Sequence, residues 1–69
     1  MAKVFDSGQL RLFRRARGFS LRDVANHLQL SASTIGDMEN AKIRTPADVL
    51  IQLANLYQVD AGRFFVEKL

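Results

Sequence analysis

The sequence predicts an all-α domain, 1–69, of five short helices around one hydrophobic core. Apolar residues recur at helical spacing, capping residues precede each apolar segment, and no segment alternates apolar and polar residues as a half-buried strand does. Hydrophobic residues make up 48 % of the chain and charged residues 25 %, which is the composition of a folded globular domain. A chain of 69 residues has room for one such core and for no second one.

The first two predicted helices are bounded by capping residues. Ser7 is the candidate N-cap of the first helix, and Gly18 ends that helix in the left-handed conformation that glycine favours. Ser20 is the candidate cap of the second helix, and Asp23 follows it at the spacing of a capping box. The apolar faces of the two helices consist of Leu10, Phe13 and Ala16, and of Leu21, Val24, Ala25 and Leu28.

The third helix follows a connection of three residues, 29–31, which is long enough only for a tight turn. Ser31 is the candidate cap of this helix, 32–40. Residues 40–45 are polar and basic apart from Ile43, and this composition predicts a loop.

The fourth and fifth helices complete the predicted core. Thr45 is the candidate cap of the fourth helix, and Pro46 is its first residue, where the missing N–H of proline costs no hydrogen bond. Asp60 caps a last short helix that contains Phe64 and Phe65. The fourth helix is apolar over more than half of its circumference, through Val49, Leu50, Leu53, Ala54, Leu56 and Tyr57.

The positive charge of the chain is concentrated in its first half. The net charge is +3 and the isoelectric point is near 10.0. Residues 1–35 carry six Lys or Arg and two acids, whereas residues 36–69 carry four Lys or Arg and five acids. We expect a basic surface around the first two helices, which fits a polyanionic partner and equally a solvated surface without one.

Composition also disfavours several classes of protein. The chain has no cysteine, which excludes disulfides and thiolate metal sites. No apolar stretch is long enough to cross a bilayer, and residues 1–9 lack the apolar core of a secretory signal, so we expect a cytoplasmic location without membrane contact. His27, the only histidine, lies on the polar side of the second helix. Because no acids form a recognisable acid–base or metal set either, we expect no enzymatic activity, metal or cofactor.

Residues 21–40 carry the most specific pattern in the chain. Two helices that cross steeply over a three-residue turn need a small residue at the crossing, which is Ala25, and a cap for the second of them, which is Ser31. The apolar residues that fill the angle between these helices are Val24, Leu28, Leu30, Ile35 and Met38. This pattern resembles the helix-turn-helix of the Cro and phage-repressor (XRE) family, and the resemblance extends over residues 8–65.

The resemblance implies a compact lambda-repressor-like fold and sequence-specific binding of double-stranded DNA by a small transcriptional regulator, a repressor or autoregulator. The recognition helix of such proteins, here 32–40, lies in the major groove, and the helix before it crosses the phosphates. The base-facing positions implied for this chain are Ala32, Ser33, Gly36 and Asp37. The phosphate-facing positions implied are Ser20, Arg22, Asn40, Lys42 and Arg44. The family's ion pair between the first and third helices falls on Arg14 and Glu39.

Three positions depart from the family pattern. Gln29 stands where the turn usually has glycine, and positive φ costs a non-glycine residue roughly 1–2 kcal/mol. Leu21 replaces a glutamine that contacts a phosphate in many members. The base-facing set has no long polar side chain before Asn40 to pair with a purine. Two functions therefore stay open, a DNA-binding regulator and a protein-interaction module or antitoxin-type protein with weak or lost base readout.

The last residues of the chain predict a homodimer. Phe64, Phe65, Val66 and Leu69 crowd the end of a small domain, and they either form a dimer seam or cover the fourth helix. In a dimer, the two third helices are expected to face successive major grooves about 34 Å apart. The arginines of the first helix, Arg11, Arg15 and Arg17, either reach flanking DNA or form a solvated helix face.

Overall fold

A computed structural model of the chain describes residues 2–68 and contains four α-helices. These are α1 (Gly8–Ala16), α2 (Leu21–Leu28), α3 (Ala32–Glu39) and α4 (Ala47–Tyr57), followed by a 3-10 helix (Ala61–Phe64). Two short strands, β1 (Ala2–Phe5) and β2 (Phe65–Lys68), lie before and after the helices. The prediction of five α-helices without a sheet is therefore wrong at both ends, while the four central helices are confirmed.

The two strands form an antiparallel ribbon, called here the two-stranded ribbon. Val4 lies opposite Val66, and Phe5 lies opposite Phe65, with the two rings in edge-to-face contact at 5.7 Å between centroids. Each strand is only four residues long, and its partner is some 60 positions away in the chain. A local search for alternation or for a turn dipeptide could not detect such a pairing, because neither signal exists in the sequence.

The hydrophobic core receives side chains from every helix. Its members within residues 2–68 are Leu10, Val24, Ala25, Ile35, Met38, Leu53, Ala54, Tyr57 and Phe64, all of them at most 4 % exposed. Ala25 is buried in α2, and its carbonyl accepts the N–H of Leu30 from the turn that leads to α3. The core thus fixes the orientation of α3 relative to α1 and α2, which positions the open side of α3 described below.

The starts of the helices confirm three predicted caps and correct two others; one of the three is Asp60, whose carboxylate accepts the Gly62 N–H of the 3-10 helix. Ser20 and Asp23 form a complete capping box on α2, and the hydroxyl of Ser31 accepts the N–H of Thr34 on α3.

Ser7 makes no capping bond, because the carboxylate of Asp6 accepts the Gly8 N–H instead. Thr45 is not the cap of α4 either. Pro46 occupies the N-cap position with an extended backbone, and helical structure begins at Ala47.

All four α-helices end with a residue in the left-handed conformation, and only one of these residues is glycine. The residues are Gly18, Gln29, Ala41 and Gln58, with φ between 58° and 77°. After α3, the N–H of Lys42 bonds the carbonyl of Asp37, and the N–H of Ala41 bonds that of Met38. This pair of bonds is the Schellman motif, which satisfies the last carbonyls of the helix. The fold therefore imposes positive φ on three residues that carry a Cβ.

Replacing Ala41 by glycine is expected to raise the free energy of unfolding by about 0.5–1 kcal/mol, because glycine adopts positive φ without the steric cost of a Cβ. Chemical denaturation measures this change. Ala47→Gly is the matched control, since it places the same substitution in the first turn of α4, where the backbone is helical. A loss of stability in Ala41→Gly equal to that in the control would contradict the strain at this position.

Candidate nucleic-acid interface

The third helix has one buried side and one open side. Ile35, Met38 and Glu39 are buried against the rest of the domain. The open side carries the four positions predicted to face bases, Ala32, Ser33, Gly36 and Asp37. Ser33 is exposed and the others are half-buried, and Ala32 also packs against the core. These positions repeat at helical spacing, so they form one stripe along α3. The stripe is small and weakly polar, with a single charge at Asp37.

The polar groups at the start of this stripe are partly used within the protein. The Ser31 hydroxyl accepts the Thr34 N–H at 3.1 Å and lies 2.7 Å from the Thr34 hydroxyl. The Ser33 hydroxyl lies 3.2 Å from the same Ser31 oxygen. Ser33 therefore shares its hydrogen-bonding capacity with the helix cap, and its hydroxyl keeps two of its three possible hydrogen bonds for an external partner.

Gly36 lies in the middle of α3, although nothing inside the domain requires a glycine there. A Cβ at this position would lie 3.7 Å from Leu21 Cδ1, which is an ordinary van der Waals distance, and its φ is not positive. A glycine inside a helix costs about 0.5–1 kcal/mol relative to alanine. Gly36 thus costs stability on the open side of α3. Because it has no side chain, another molecule can come closer to the helix backbone there.

The loop after α3 presents cations beside this open face. Lys42 and Arg44 are both exposed, and neither forms an ion pair with any residue between 2 and 68. The backbone of Lys42 is fixed by its hydrogen bond to the Asp37 carbonyl, 2.8 Å long. Two positive charges therefore lie in the loop just after α3 without a counter-charge among residues 2–68, available to an anion outside the protein.

Arg11 contacts the carboxyl end of α3. The sequence had left open whether this arginine reaches flanking DNA or lies on a solvated helix face. Its Nε lies 3.4 Å from Glu39 Oε1, and its Nη2 donates to the side-chain oxygen of Asn40. Asn40 is exposed, so its amide NH₂ stays free to donate outward. The position of Arg11 one helical turn before Arg14 was the available signal, since side chains three residues apart share a helix face.

Arg14 and Glu39 are brought together by the structure in a buried bidentate pair. Arg14 Nε lies 2.6 Å from Glu39 Oε2, and Nη2 lies 3.1 Å from Oε1. Nη1 of the same guanidinium donates to the carbonyl of Phe19 at 2.8 Å. The hydrogen bond with Glu39 raises the pKa of Arg14 above its usual value, because it favours the charged form. The pair links α1, α3 and the start of the second helix, and so holds α3 in place.

The start of α2 is less open to anions than its sequence suggests. Asp23 accepts the backbone N–H of Ser20 at 2.8 Å, and the Ser20 hydroxyl accepts that of Asp23 at 3.0 Å. Hydrogen bonds from Ser20 lower the pKa of Asp23, so this carboxylate is a fixed negative charge at neutral pH. Arg22, beside this cap, is exposed and, like Lys42 and Arg44, has no ion-pair partner among residues 2–68.

The residues predicted to form a dimer seam do not act as one group. Phe64 is fully buried and packs edge-to-face on Phe13, so its assignment to a dimer surface is wrong and it belongs to the core. Phe65 is 36 % exposed on β2, and Val66 is half-buried in the same strand. Leu69 lies outside the described residues. Only Phe65 and Val66 of the predicted seam are thus on the surface that the structure describes.

The open side of α3 has short side chains, and two cations without an ion-pair partner among residues 2–68 follow it. This arrangement suits a groove bordered by phosphates. No helix within residues 2–68 has the length and apolar character needed to cross a membrane. Residues 7–63 match the protein family described as helix-turn-helix domain. Among curated proteins, none matches the chain.

Proposed function

The chain belongs to the helix-turn-helix domain family, and on that premise we propose that it is a transcriptional regulator of the Cro and phage-repressor type that binds double-stranded DNA sequence-specifically. In this proposal α3 enters the major groove with Ala32, Ser33, Gly36 and Asp37 toward the bases. Phosphates on either side are contacted by Ser20, Arg22, Asn40, Lys42 and Arg44. The family is typical of DNA-binding proteins, and the Cro type and the repressor role are the further steps proposed here.

The pair of exposed, unpaired cations after α3 is the observation that carries the proposal. Lys42 and Arg44 lie beside the open side of α3, and no acid of residues 2–68 neutralises them. Phosphate contacts from such cations supply most of the affinity of a protein for DNA. Gly36 adds support, because a glycine without an internal role permits close approach of a base edge or sugar to the helix.

In this proposal, direct contacts with the bases account for only part of the preference for a DNA sequence. The open side of α3 offers short side chains, so it lacks the bidentate purine pairing that Arg, Gln or Asn supply. Asp37 accepts hydrogen bonds only and suits the amino group of a cytosine. The remaining preference is expected from bridging water and from the deformability of the DNA.

We also infer that the regulator is a homodimer assembled through the two-stranded ribbon. A ribbon of two four-residue strands is marginally stable alone, and each strand has an edge without a partner within residues 2–68. Val4 is 37 % exposed and Val66 half-buried on one face of the ribbon. Edge-to-edge pairing with the ribbon of a second copy would satisfy one of these edges in each copy and extend the sheet that carries the valines.

The second candidate is a protein-interaction module or an antitoxin-type protein that binds a toxin or another protein. Two observations favour it: the acid Asp37 in the middle of the outer face of α3, and the partial use of the Ser33 hydroxyl by the helix cap. Both weaken base readout and leave protein contacts unaffected. DNA affinity and its salt dependence separate the two candidates.

The test is a salt titration of binding to a random DNA duplex with Lys42→Ala and Arg44→Ala. Each variant is expected to weaken binding to all duplexes alike and to reduce the slope of log K against log salt by about one unit. Arg63→Ala is the matched control, because Arg63 is also an exposed arginine but its guanidinium lies over the Phe13 ring. The control is expected to keep the slope of the unchanged protein.

Two results would contradict the DNA-binding proposal. One is affinity for the duplex that does not change with salt, since counterion release must accompany phosphate contacts. The other is an equal reduction of the slope in all three variants, which would mean that net charge rather than the loop after α3 determines binding. Either result favours the interaction module.

A further inference from the structure

The loop after α3 borders an open groove, called here the ribbon groove. It has a volume of about 440 Å³ and lies between this loop and the two-stranded ribbon. Its apolar walls are Phe5, Phe65, Ile43 and Leu50, and its cations are Lys42 and Arg44. A volume of this size is within the range of pockets that hold small organic ligands.

Several of the exposed apolar side chains of this domain converge in the ribbon groove. Phe5, Ile43 and Phe65 are 37 %, 44 % and 36 % exposed, and all three line the groove. Exposed apolar groups that converge in one concave place mark a binding site more strongly than isolated ones. Thr45 also lines the groove, and its hydroxyl is buried without a hydrogen-bond partner among residues 2–68, which leaves a polar atom for a ligand oxygen to satisfy.

The charges around the groove identify the class of ligand. No lining residue is acidic, whereas Lys42 and Arg44 stand at its edge without an ion-pair partner in the described chain. We propose that the ribbon groove binds a small anionic amphipathic molecule, with an aromatic or aliphatic body and a carboxylate or sulfonate group. The body lies on Phe5, Ile43 and Phe65, and the anionic group pairs with the two cations.

A second copy of the chain fits the groove less well than an anion does. Two grooves facing each other across a two-fold axis would oppose four cations with no acid from either lining to offset them. The edges of the ribbon and the Val4–Val66 face are separate from the Phe5–Phe65 face, because neighbouring residues of a strand point to opposite sides. Dimerisation through the ribbon therefore leaves the groove available.

Ligand binding would regulate the proposed function, and this consequence rests on that function. Lys42 and Arg44 are the cations assigned above to phosphates, so an anion in the ribbon groove competes with DNA for them. Linkage requires the effect to be mutual, with DNA weakening the ligand as much as the ligand weakens DNA. The molecule would act as an inducer, releasing the regulator from its site.

The test uses the full chain and a matched pair of fluorescent probes. 1-Anilinonaphthalene-8-sulfonate carries an aromatic body and a sulfonate, and N-phenyl-1-naphthylamine has the same body without the charge. The sulfonate probe is expected to bind saturably with one site per chain, and Arg44→Ala to weaken it about threefold. Ile43→Gln is expected to weaken it about tenfold, through loss of apolar contact. Ile51→Gln is the control, because Ile51 is an exposed isoleucine on α4, 57 % exposed against 44 % for Ile43, and this variant should bind as the unchanged protein does.

Each result decides a separate point. Equal weakening by Ile43→Gln and Ile51→Gln, or equal binding of the two probes, would overturn the site. A change of oligomeric state in Ile43→Gln without a change in probe binding would assign the groove to a second copy and would also overturn it. Saturating sulfonate probe that leaves an observed DNA affinity unchanged would overturn the regulation alone. Probe binding with the expected variant pattern in a protein that binds no duplex would uphold the site and contradict the proposed function.

Discussion

Replacing Glu39 by alanine is expected to lower the free energy of unfolding by about 3–5 kcal/mol, because it leaves the guanidinium of Arg14 buried without its counter-charge. The side chains of Arg14 and Glu39 are 9 % and 2 % exposed, and the guanidinium donates three hydrogen bonds, two to the Glu39 carboxylate and one to the Phe19 carbonyl. Chemical denaturation measures the loss.

A double variant separates the burial of a lone charge from the value of the pair itself. Arg14→Met with Glu39→Leu removes both charges and keeps similar volumes, so most of the lost stability should return. Glu67→Ala is the control, because Glu67 is exposed on β2, and its loss should cost no more than about 1 kcal/mol. If Glu39→Ala costs no more than the control, the pair contributes as little as a surface ion pair.

The central helices were predictable because their signals are local. Ser20 with Asp23, Ser31, and Gly18 act within a few residues of their own position, so their roles follow from spacing alone. Ser7 lies at the predicted N-cap position of α1, but the side chain that accepts a helix N–H there is that of Asp6, and both residues are good acceptors. Only the backbone geometry decides between them.

The features that sequence reasoning missed depend on contacts between distant residues. The pairing of Val4 with Val66 joins opposite ends of the chain, and no periodicity announces it. The contact of Arg11 with Asn40 and the ribbon groove arise in the same way, from elements that meet only in three dimensions. The positions of Arg14 and Glu39 were available only through resemblance to a family, since charges 25 residues apart carry no local signal.

The largest difference between the sequence prediction and the structure concerns Phe64, which was predicted to lie in a dimer seam and lies in the core. Its ring is fully buried and lies 6.0 Å from that of Phe13, and its carbonyl accepts the N–H of Asp6 at 2.8 Å. Phe64 therefore joins the helical core to Asp6, the residue directly after strand β1. Its neighbour Phe65 is 36 % exposed, and its ring contacts that of Phe5 edge-to-face in the ribbon.

Phe64→Ala is expected to lower the free energy of unfolding by about 3–5 kcal/mol, the cost of removing a buried aromatic ring and leaving a cavity. Phe65→Ala, one position along, should cost less than half as much because its ring is already partly in water. Phe64→Leu keeps a measurable folded state if the alanine variant unfolds, and its smaller loss of stability should have the same sign.

Denaturation at several protein concentrations distinguishes a core residue from a residue of a dimer seam, since a seam residue acts through association. A loss of stability in Phe64→Ala that disappears on dilution to monomer would return Phe64 to the dimer surface; a loss of equal size at every concentration assigns it to the core.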